Sequence, residues 1–205
     1  SFTTNGSFIA VATEISDTFC IVKRTVNSQV RYYLEKFDKD VTLDSAKTGG
    51  AASSTTMDHL QGETVEIVRD GVVEPTQTVS ASPFRITFAR AASSAFQVGL
   101  EYTVQAKTMP TEPVLSSGSV QGVKKRIVQV DALLNQTKDL VINGKQISFR
   151  NFGVNILDTP IQAFTGLKTA HGILGYSATG QITLTQNVPL PMTVLGLEYK
   201  LSVGN

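Results

Sequence analysis

The sequence predicts an all-β protein, built as antiparallel β-sandwich or barrel-like domains from short strands. Helical signals are scarce, because Gly (16) and Pro (7) interrupt the chain at short intervals. Between them lie short runs rich in Val, Ile, Thr, Phe and Tyr, a pattern typical of all-β chains. The dipeptides Asp70-Gly71 and Asn143-Gly144 separate such runs and are strong signals for two-residue hairpin turns.

Composition narrows the class of protein further. The 205 residues suit one large or two small domains. Hydrophobic residues make up 41% and charged residues 17%, a composition that excludes a disordered chain. The net charge of +1 gives no overall field that would steer the chain onto nucleic acid or an anionic membrane. No apolar run is long enough to span a bilayer as a helix, so no membrane segment is predicted.

Residues 1–47 are predicted to be a β-meander. Its strands are Ser7–Glu14, Phe19–Val26 and Gln29–Phe37, with turns at Ser16-Asp17 and Asn27-Ser28. Alternation in the third strand puts Val30, Tyr32 and Leu34 on one face and Arg31, Tyr33 and Glu35 on the other. Three strands have little core of their own, so other strands are expected to cover them.

Residues 48–56 are small and polar, which predicts a flexible loop or linker. A small β-domain is predicted over 57–113, because alternating strands recur there, and Met109–Gly122 forms a second break. The strands predicted before that break are Glu63–Arg69, Val72–Pro75, Gln77–Ser80, Phe84–Phe88, Phe96–Gly99 and Tyr102–Lys107.

A second β-domain is predicted over 114–205 and is expected to pack with 57–113. It begins with the alternating stretch Lys124–Leu134 and continues with a hairpin around Asn143-Gly144. Pro189 and Pro191 fall in a turn before the last strand, where a missing N–H does no harm. The strands predicted after Leu134 are Leu140–Ile142, Gln146–Phe149, Gly166–Leu174, Gln181–Gln186 and Met192–Leu201.

The two histidines are the first candidates for catalysis or metal binding. His59 has Asp58 beside it but no further ligand at a spacing typical of metal sites, and neighbours on a strand point to opposite faces. His171 has no acidic residue near it in sequence. Both are therefore predicted to make structural hydrogen bonds at a strand end or turn.

Other reactive residues receive structural interpretations as well. Cys20, the one cysteine, lies among apolar neighbours and is predicted to be a small buried residue of a strand. Gly172 and Gly175 do not form a phosphate-binding loop, because no Gly-Lys-Ser/Thr follows them. Neither does any serine lie in a nucleophile-elbow motif.

Two sets of carboxylates are candidates for a cation site or for acid–base chemistry. Asp38, Asp40 and Asp44 have the spacing of a cation loop, but the glycine and terminal glutamate of an EF-hand are missing. They are predicted to cap a solvated turn, and a bound cation stays an alternative. Asp131 and Asp139 have no context that predicts a hydrolytic pair.

The triplet Lys124-Lys125-Arg126 is the one run of like charges. It is predicted to be a solvated strand end, with contact to passing DNA as the alternative. Because no aromatic residues interleave with these charges, a stacking platform for single-stranded nucleic acid is not predicted.

Several stretches together resemble one family. They are Phe19–Phe37, Asp58–Val79, Val98–Tyr102 with Thr108–Pro113, Lys124–Arg126 and Gln181–Leu195. The most specific are His59, Asp70 and Pro75 within Asp58–Val79, and the proline-containing ending. They are similar to motifs of the tail nozzle, tail tubular or stabilisation proteins of short-tailed phages and prophages. The stretch between Lys138 and Gly175 diverges widely from that pattern.

The resemblance implies a structural virion component rather than an enzyme. Members form rings that extend the portal and adaptor complex, enclose double-stranded DNA during ejection without reading its sequence, and present surfaces to tail fibres. The implied location is the phage tail, with synthesis in the bacterial cytoplasm. The chain would be the C-terminal portion of such a protein, with the meander as the remnant of an N-terminal, propeller-like domain. In this motif Gly62 and Gly71 would allow tight turns, Asp70 would start a hairpin, and His59 would tie a loop to backbone groups.

No catalytic, cofactor-binding or metal-binding residue is therefore predicted, and no cofactor. Assembly is expected to proceed through strand edges and loops that dock on neighbouring copies in a closed ring. A carbohydrate- or receptor-binding β-module of a phage tail is the first alternative, although it would favour clustered aromatics and the chain has no Trp. A tail-associated hydrolase is the second.

Overall fold

The computed structural model describes residues 2–116, 118–150, 159–172 and 175–204. Its elements are almost entirely antiparallel strands, which confirms the predicted all-β class. Within these ranges the one helical element is a 3₁₀ turn at Asp58–Leu60, and no helix is long and apolar enough to cross a membrane. The chain divides into two compact units. The first unit contains 2–103 and 159–160, and the second contains 104–150 and 161–204 among the described residues.

The first unit contains three antiparallel sheets, ordered β2-β3-β4, β5-β10-β7-β8 and β6-β9. Its strands are β1 (Phe2–Thr3), β2 (Ser7–Glu14), β3 (Asp17–Val26), β4 (Gln29–Lys36), β5 (Asp44–Gly49), β6 (Ala52–Thr56), β7 (Thr64–Arg69), β8 (Val72–Thr78), β9 (Arg85–Ala92) and β10 (Phe96–Leu100).

The second unit is organised around one long central strand, β14, which pairs with β17 on one side and β19 on the other. A further sheet includes β11, β18, β15 and β16 in that order, and β12 pairs with β13. Its strands are β11 (Thr103–Lys107), β12 (Val114–Leu115), β13 (Gly118–Ser119), β14 (Lys125–Thr137), β15 (Val141–Ile142), β16 (Lys145–Gln146), β17 (Phe164–His171), β18 (Thr183–Thr185) and β19 (Val194–Val203).

Each unit has its own apolar core. The core of the first unit consists of Val26, Met57, Leu60, Val65, Ile67, Val79, Ile86, Phe88, Ala92, Phe96, Val98 and Leu100. The core of the second consists of Ile127, Val130, Ala132, Leu134, Leu140, Ile142, Ile147, Ala170, Ile182 and Leu184. The expected alternation produces both cores, because the buried residues of β7 and β14 lie mainly on one face of each strand.

Three predicted hairpin turns are confirmed by their backbone angles. Asn27 and Ser28 have φ of 49° and 60°, and Asp70 and Gly71 have φ of 48° and 77°. Asn143 and Gly144 repeat the arrangement with 48° and 80°. Positive φ at both central positions defines the type I′ turn, which matches the right-handed twist of the flanking strands.

The stretch 48–56 is not a linker, contrary to the prediction. It contains the end of β5, which pairs with β10, and the whole of β6, which pairs with β9. Partners lie 47 to 56 residues apart in the first pair and 29 to 40 in the second. The division of the chain also differs from the predicted one. The meander β2–β4 lies in the same unit as 57–100 and contributes Val26 to that core, and the boundary lies at 103 rather than 113. That the meander is the remnant of a longer N-terminal domain stays a prediction.

Candidate functional site

In the central strand of the meander, β3, the side chains of one face are buried from Cys20 onward and most of those on the other face are exposed, whereas β2 is exposed on both faces. Cys20, Val22, Arg24 and Val26 of β3 point inward and are at most 3% exposed. The register of the three strands puts another set of side chains on the opposite side, here called the outer face. It consists of Ser7, Ala10, Ala12, Glu14, Asp17, Phe19, Ile21, Lys23, Thr25, Val30, Tyr32, Leu34 and Lys36.

Large apolar side chains dominate the centre of the outer face. Ile21 is 39% exposed, Val30 55%, Tyr32 64% and Leu34 75%. Ile21 pairs directly with Leu34 across β3 and β4, so these residues form a continuous surface rather than isolated positions. A contiguous exposed apolar patch on a sheet is uncommon and typically marks an interaction surface.

Among the strands of the described ranges, each edge strand of the meander pairs with β3 alone. In the sheet order β2-β3-β4, neither β2 nor β4 has a second strand partner in the described ranges. All eight residues of β2 are exposed, and six of the eight in β4 are exposed. Unpaired edges present rows of backbone N–H and C=O groups to which another strand can bind.

A buried arginine attaches the inner face of the meander to the next strand, β5. Arg24 makes a bidentate pair with Glu35 on β4, at 3.0 and 2.8 Å, and contacts Asp44 on β5 at 2.7 Å. It also donates to Thr4 Oγ1 at 3.1 Å and to the carbonyl of Asn5. Burial raises the pKa of Asp44, although Arg24 acts in the opposite direction. For Arg24, burial lowers the pKa, but the bonds to Glu35 and Asp44 outweigh it and the pKa is raised.

The predicted structural role of His59 is confirmed. Its Nε2 lies 3.0 Å from the carbonyl oxygen of Ser45, and its own carbonyl accepts the Tyr33 hydroxyl at 2.7 Å. The segment is a 3₁₀ turn rather than a strand, and the side chains of Asp58 and His59 approach to 3.9 Å. His59 therefore connects the 3₁₀ turn to β4 and β5.

His171 lies at the end of β17, as expected, on the same cross-strand row as Gln129. Its carbonyl accepts the Lys145 ammonium at 2.6 Å. Within the described ranges, no group of three or more His, Cys, Asp or Glu side chains converges as a metal site would require.

The three aspartates of the proposed cation loop have separate roles. Asp38 Oδ1 accepts the backbone N–H of Asp40 at 3.0 Å, which is the predicted turn cap. Asp40 is exposed and lies 3.5 Å from the Lys39 ammonium. Asp44 differs from these two, because its carboxylate forms an ion pair with the buried Arg24.

The basic triplet is not a uniformly solvated strand end, contrary to the prediction. Lys125 is fully buried, and its ammonium donates to the carbonyl of Ala178 at 3.1 Å. Its backbone exchanges two hydrogen bonds with Ser177, at 2.7 and 2.8 Å. Lys124, which precedes β14, and Arg126 are exposed, and alternation sends Arg126 to the other side of the strand from Lys125.

Asp131 and Asp139 have different partners and do not act as a pair. Asp131 accepts the Thr169 hydroxyl and the Gln129 amide, and these hydrogen bonds lower its pKa, that of Thr169 most. Asp139, 4% exposed, accepts the Gln146 amide at 2.6 Å. Its other oxygen accepts the backbone N–H groups of 187 and 188, at 2.9 and 3.3 Å, which orders the proline-containing segment before β19.

Asp70 has a larger role than the predicted hairpin start. Its carboxylate accepts the backbone N–H and hydroxyl groups of Ser93 and Ser94, and the N–H of Ala95, at 2.8 to 3.0 Å. The backbone hydrogen bond from Ser93 is foremost in lowering the Asp70 pKa far below its usual range. The sequence carried no signal for this role, because the partner loop lies more than 20 residues away.

Sequence reasoning grouped Val30, Tyr32 and Leu34 correctly but did not identify that face as the exposed one. In most sheets the apolar side chains are buried and the charged ones exposed, and in the meander this distribution is reversed. The buried face carries Arg24 and Glu35, charges that neutralise one another, while the apolar face is left in solvent. Buried Cys20 behaves as predicted, and burial raises its thiol pKa. No protein-family model matches this sequence, and neither does any curated protein.

Proposed function

We propose that the chain is a structural subunit of a phage tail tube or nozzle, which assembles as a closed ring around the path of the ejected DNA. The observation that carries the proposal is the apolar outer face of the meander. Such a surface suits a protein that works by contact with neighbouring copies, and copies joined head to tail form a ring when the rotation closes. The resemblance of Asp58–Val79 and Gln181–Leu195 to tail-nozzle motifs supplies the virion context.

The contacts of the polar residues described above are consistent with a structural role. His59, Asp44, Asp70 and Asp139 each bind a strand, turn or loop of their own unit. Such residues stiffen a scaffold, and a subunit that must hold its shape under the load of packaged DNA benefits from stiff loops. Adaptor and fibre proteins would be the neighbouring partners, and DNA would pass without sequence-specific contacts.

The molecular mass in solution tests the proposal. We expect multi-angle light scattering to show association that increases with concentration and ends at a fixed number of copies. The longer polypeptide of which this chain would be the C-terminal portion is measured in parallel, because the resemblance places further ring contacts there. Strictly monomeric behaviour of both polypeptides at high concentration would overturn the proposal.

A charge placed on the outer face tests the surface itself. Leu34→Lys is expected to weaken association at least about tenfold, because burying a leucine contributes about 1.5–3 kcal/mol. Ile15→Lys is the matched control, since Ile15 is fully exposed in the turn between β2 and β3 and outside the outer face. Equal effects of the two variants would show that the outer face is not the contact.

A further inference from the structure

We propose that Asn143 is a site of self-modification, at which the backbone nitrogen of Gly144 attacks the side-chain amide and closes a cyclic imide. The new bond joins Gly144 N to Asn143 Cγ, and a hydroxide ion of the solvent takes the N–H proton. The bond from Cγ to Nδ2 breaks, and the nitrogen leaves as ammonia after taking a proton from water. Water then opens the imide and leaves aspartate or isoaspartate. This inference does not depend on the proposed tail assembly.

The side-chain amide of Asn143 is bonded at its oxygen and unpartnered at its nitrogen. Oδ1 accepts the backbone N–H of Thr183 at 2.7 Å, and this donor determines which end of the amide is the oxygen, because an amide NH₂ group only donates. Within the described ranges, Nδ2 is buried and has no hydrogen-bond partner. A buried donor without a partner is costly, and the imide carries no donor in its place. Loss of ammonia therefore removes an unfavourable group from the folded protein.

The hydrogen bond from Thr183 also activates the carbon that is attacked. As Gly144 N adds to Cγ, negative charge develops on Oδ1, and a donor that already points at this oxygen stabilises that charge. The backbone N–H of Asn143 donates in turn to the Thr183 carbonyl at 2.8 Å. Two hydrogen bonds thus join these residues and hold the donor in place.

The attacking nitrogen is accessible. The hairpin pairs Val141 with Gln146 and Ile142 with Lys145, so the Gly144 N–H lies outside the ladder. Gly144 is exposed, and among the described residues no atom lies within 4 Å of the place where a Cβ would be. Each strand of this hairpin has only two residues, so a rotation of the turn toward ring closure disturbs few contacts.

The other Asn-Gly dipeptide, Asn5-Gly6, is held in a way that opposes ring closure. The Gly6 N–H donates to the Thr4 carbonyl at 3.0 Å, and the carbonyl of Asn5 accepts the buried Arg24 guanidinium. A Cβ on Gly6 would lie 2.8 Å from Val22, so this glycine is packed where Gly144 is open. The nitrogen of Gly6 must therefore lose a hydrogen bond before it can attack.

The Asp70-Gly71 turn provides a comparison with nearly the same backbone as Asn143-Gly144. Its φ angles are 48° and 77°, against 48° and 80°. The side chain of Asp70 is a carboxylate that accepts hydrogen bonds from the loop 93–95, and these donors keep it ionised. An ionised carboxylate has no group that leaves as ammonia does, so we expect no imide there.

Peptide mapping by mass spectrometry tests the site. The full chain is incubated at mildly alkaline pH in water labelled with heavy oxygen, so that only conversion during the incubation is counted. In the folded protein Asn143 should convert about tenfold faster than Asn5, the factor to which one hydrogen bond corresponds. In urea the two sites should convert at similar rates, because each asparagine follows a β-branched residue and precedes glycine.

Gly144→Ala distinguishes ring closure from direct hydrolysis of the amide. A Cβ beside the attacking nitrogen slows ring closure and leaves direct hydrolysis unchanged, so equal rates at Asn143 in this variant and the wild type, each also measured in urea, would overturn the cyclic route. A product that has lost ammonia, seen before water is gained, supports it. If the folded protein converts Asn143 no faster than Asn5, or leaves it intact while the unfolded chain reacts, the site is wrong. Isoaspartate at Asp70 at the same rate would show that the turn alone suffices and would overturn the role of the amide contacts.

Discussion

At the scale of single residues, the stability of the first unit depends on charges that the fold has largely enclosed. Arg24 has no exposed side-chain surface, while its partners Glu35 and Asp44 keep 16% and 15% of theirs. Removing one member of such a cluster costs far more than an exposed ion pair contributes, because the remaining charges lose their partner in a site with little water.

Replacing Arg24 with methionine should therefore destabilise the chain by about 3 kcal/mol. Lys36→Met is the matched control, because Lys36 pairs with Asp17 in solvent, at 2.8 Å, with both side chains nearly half exposed. Exposed pairs contribute about 0–1 kcal/mol. Urea unfolding of the two variants measures the difference, and similar losses for both would contradict a special role for Arg24.

A second prediction concerns the contribution of Asp70 to stability at acid pH. Because hydrogen bonds hold its folded pKa below the unfolded value of about 3.9, ionised Asp70 stabilises the fold above that pH, and the contribution is lost as the pH falls further. Asp70→Asn should lower the melting temperature at pH 7. The difference from the wild type should shrink as the pH falls below 4, and thermal melts over this range measure it. A difference that is independent of pH would contradict the assignment.

At the scale of elements, local turn chemistry was predictable and distant pairing was not. Asn27-Ser28, Asp70-Gly71 and Asn143-Gly144 predicted hairpins because those residue types tolerate positive φ. Strands β5 and β6 were missed because 44–56 is rich in Ser, Ala, Thr and Gly, which resembles a linker. Their strand conformation comes from pairing with β10 and β9, and a single sequence does not show such long-range partners.

Gly99 of β10 is a strand glycine at which we expect a side chain not to be tolerated, because the backbone of β5 lies against it. A Cβ there would lie 2.6 Å from the carbonyl oxygen of Asp44 and 2.9 Å from the Ala46 Cα, both backbone atoms of β5. Gly99→Ala should cost about 1–3 kcal/mol, the usual range for overpacking. Gly196→Ala in β19 is the control, because no atom lies within 4 Å of the added Cβ. Equal unfolding midpoints in guanidinium for the two variants would contradict the close approach of β5 and β10.

Only part of the candidate site could be predicted, because alternation along a strand shows which side chains share a face and nothing of their distant partners. The period of two grouped the side chains of β4 correctly, and it placed Cys20 in an apolar strand. It did not reveal that Lys125 is buried, because a run of three basic residues resembles a solvated end and the Ala178 carbonyl that accepts its hydrogen bond lies 53 residues away.

At the scale of the whole molecule, two separate cores predict separate unfolding events. Ile67 and Leu134 are both fully buried, one in each core. Truncating either to alanine should cost about 2–5 kcal/mol. We expect Ile67→Ala to lower the midpoint temperature of the first unit's unfolding transition and Leu134→Ala that of the second. Calorimetry resolves the two transitions. A single transition that both variants shift equally would show that the units unfold as one.

The order in which the strands of the first unit can pair matters while the chain is still being synthesised on a ribosome. Strands β2, β3 and β4 are joined by short turns, so the meander can form as soon as residue 36 is free of the exit tunnel. Strand β5 must wait for β10, more than 40 residues later. A nascent chain would therefore form the meander, with its Arg24–Glu35 pair, before β5 is held in place and Asp44 can join that pair.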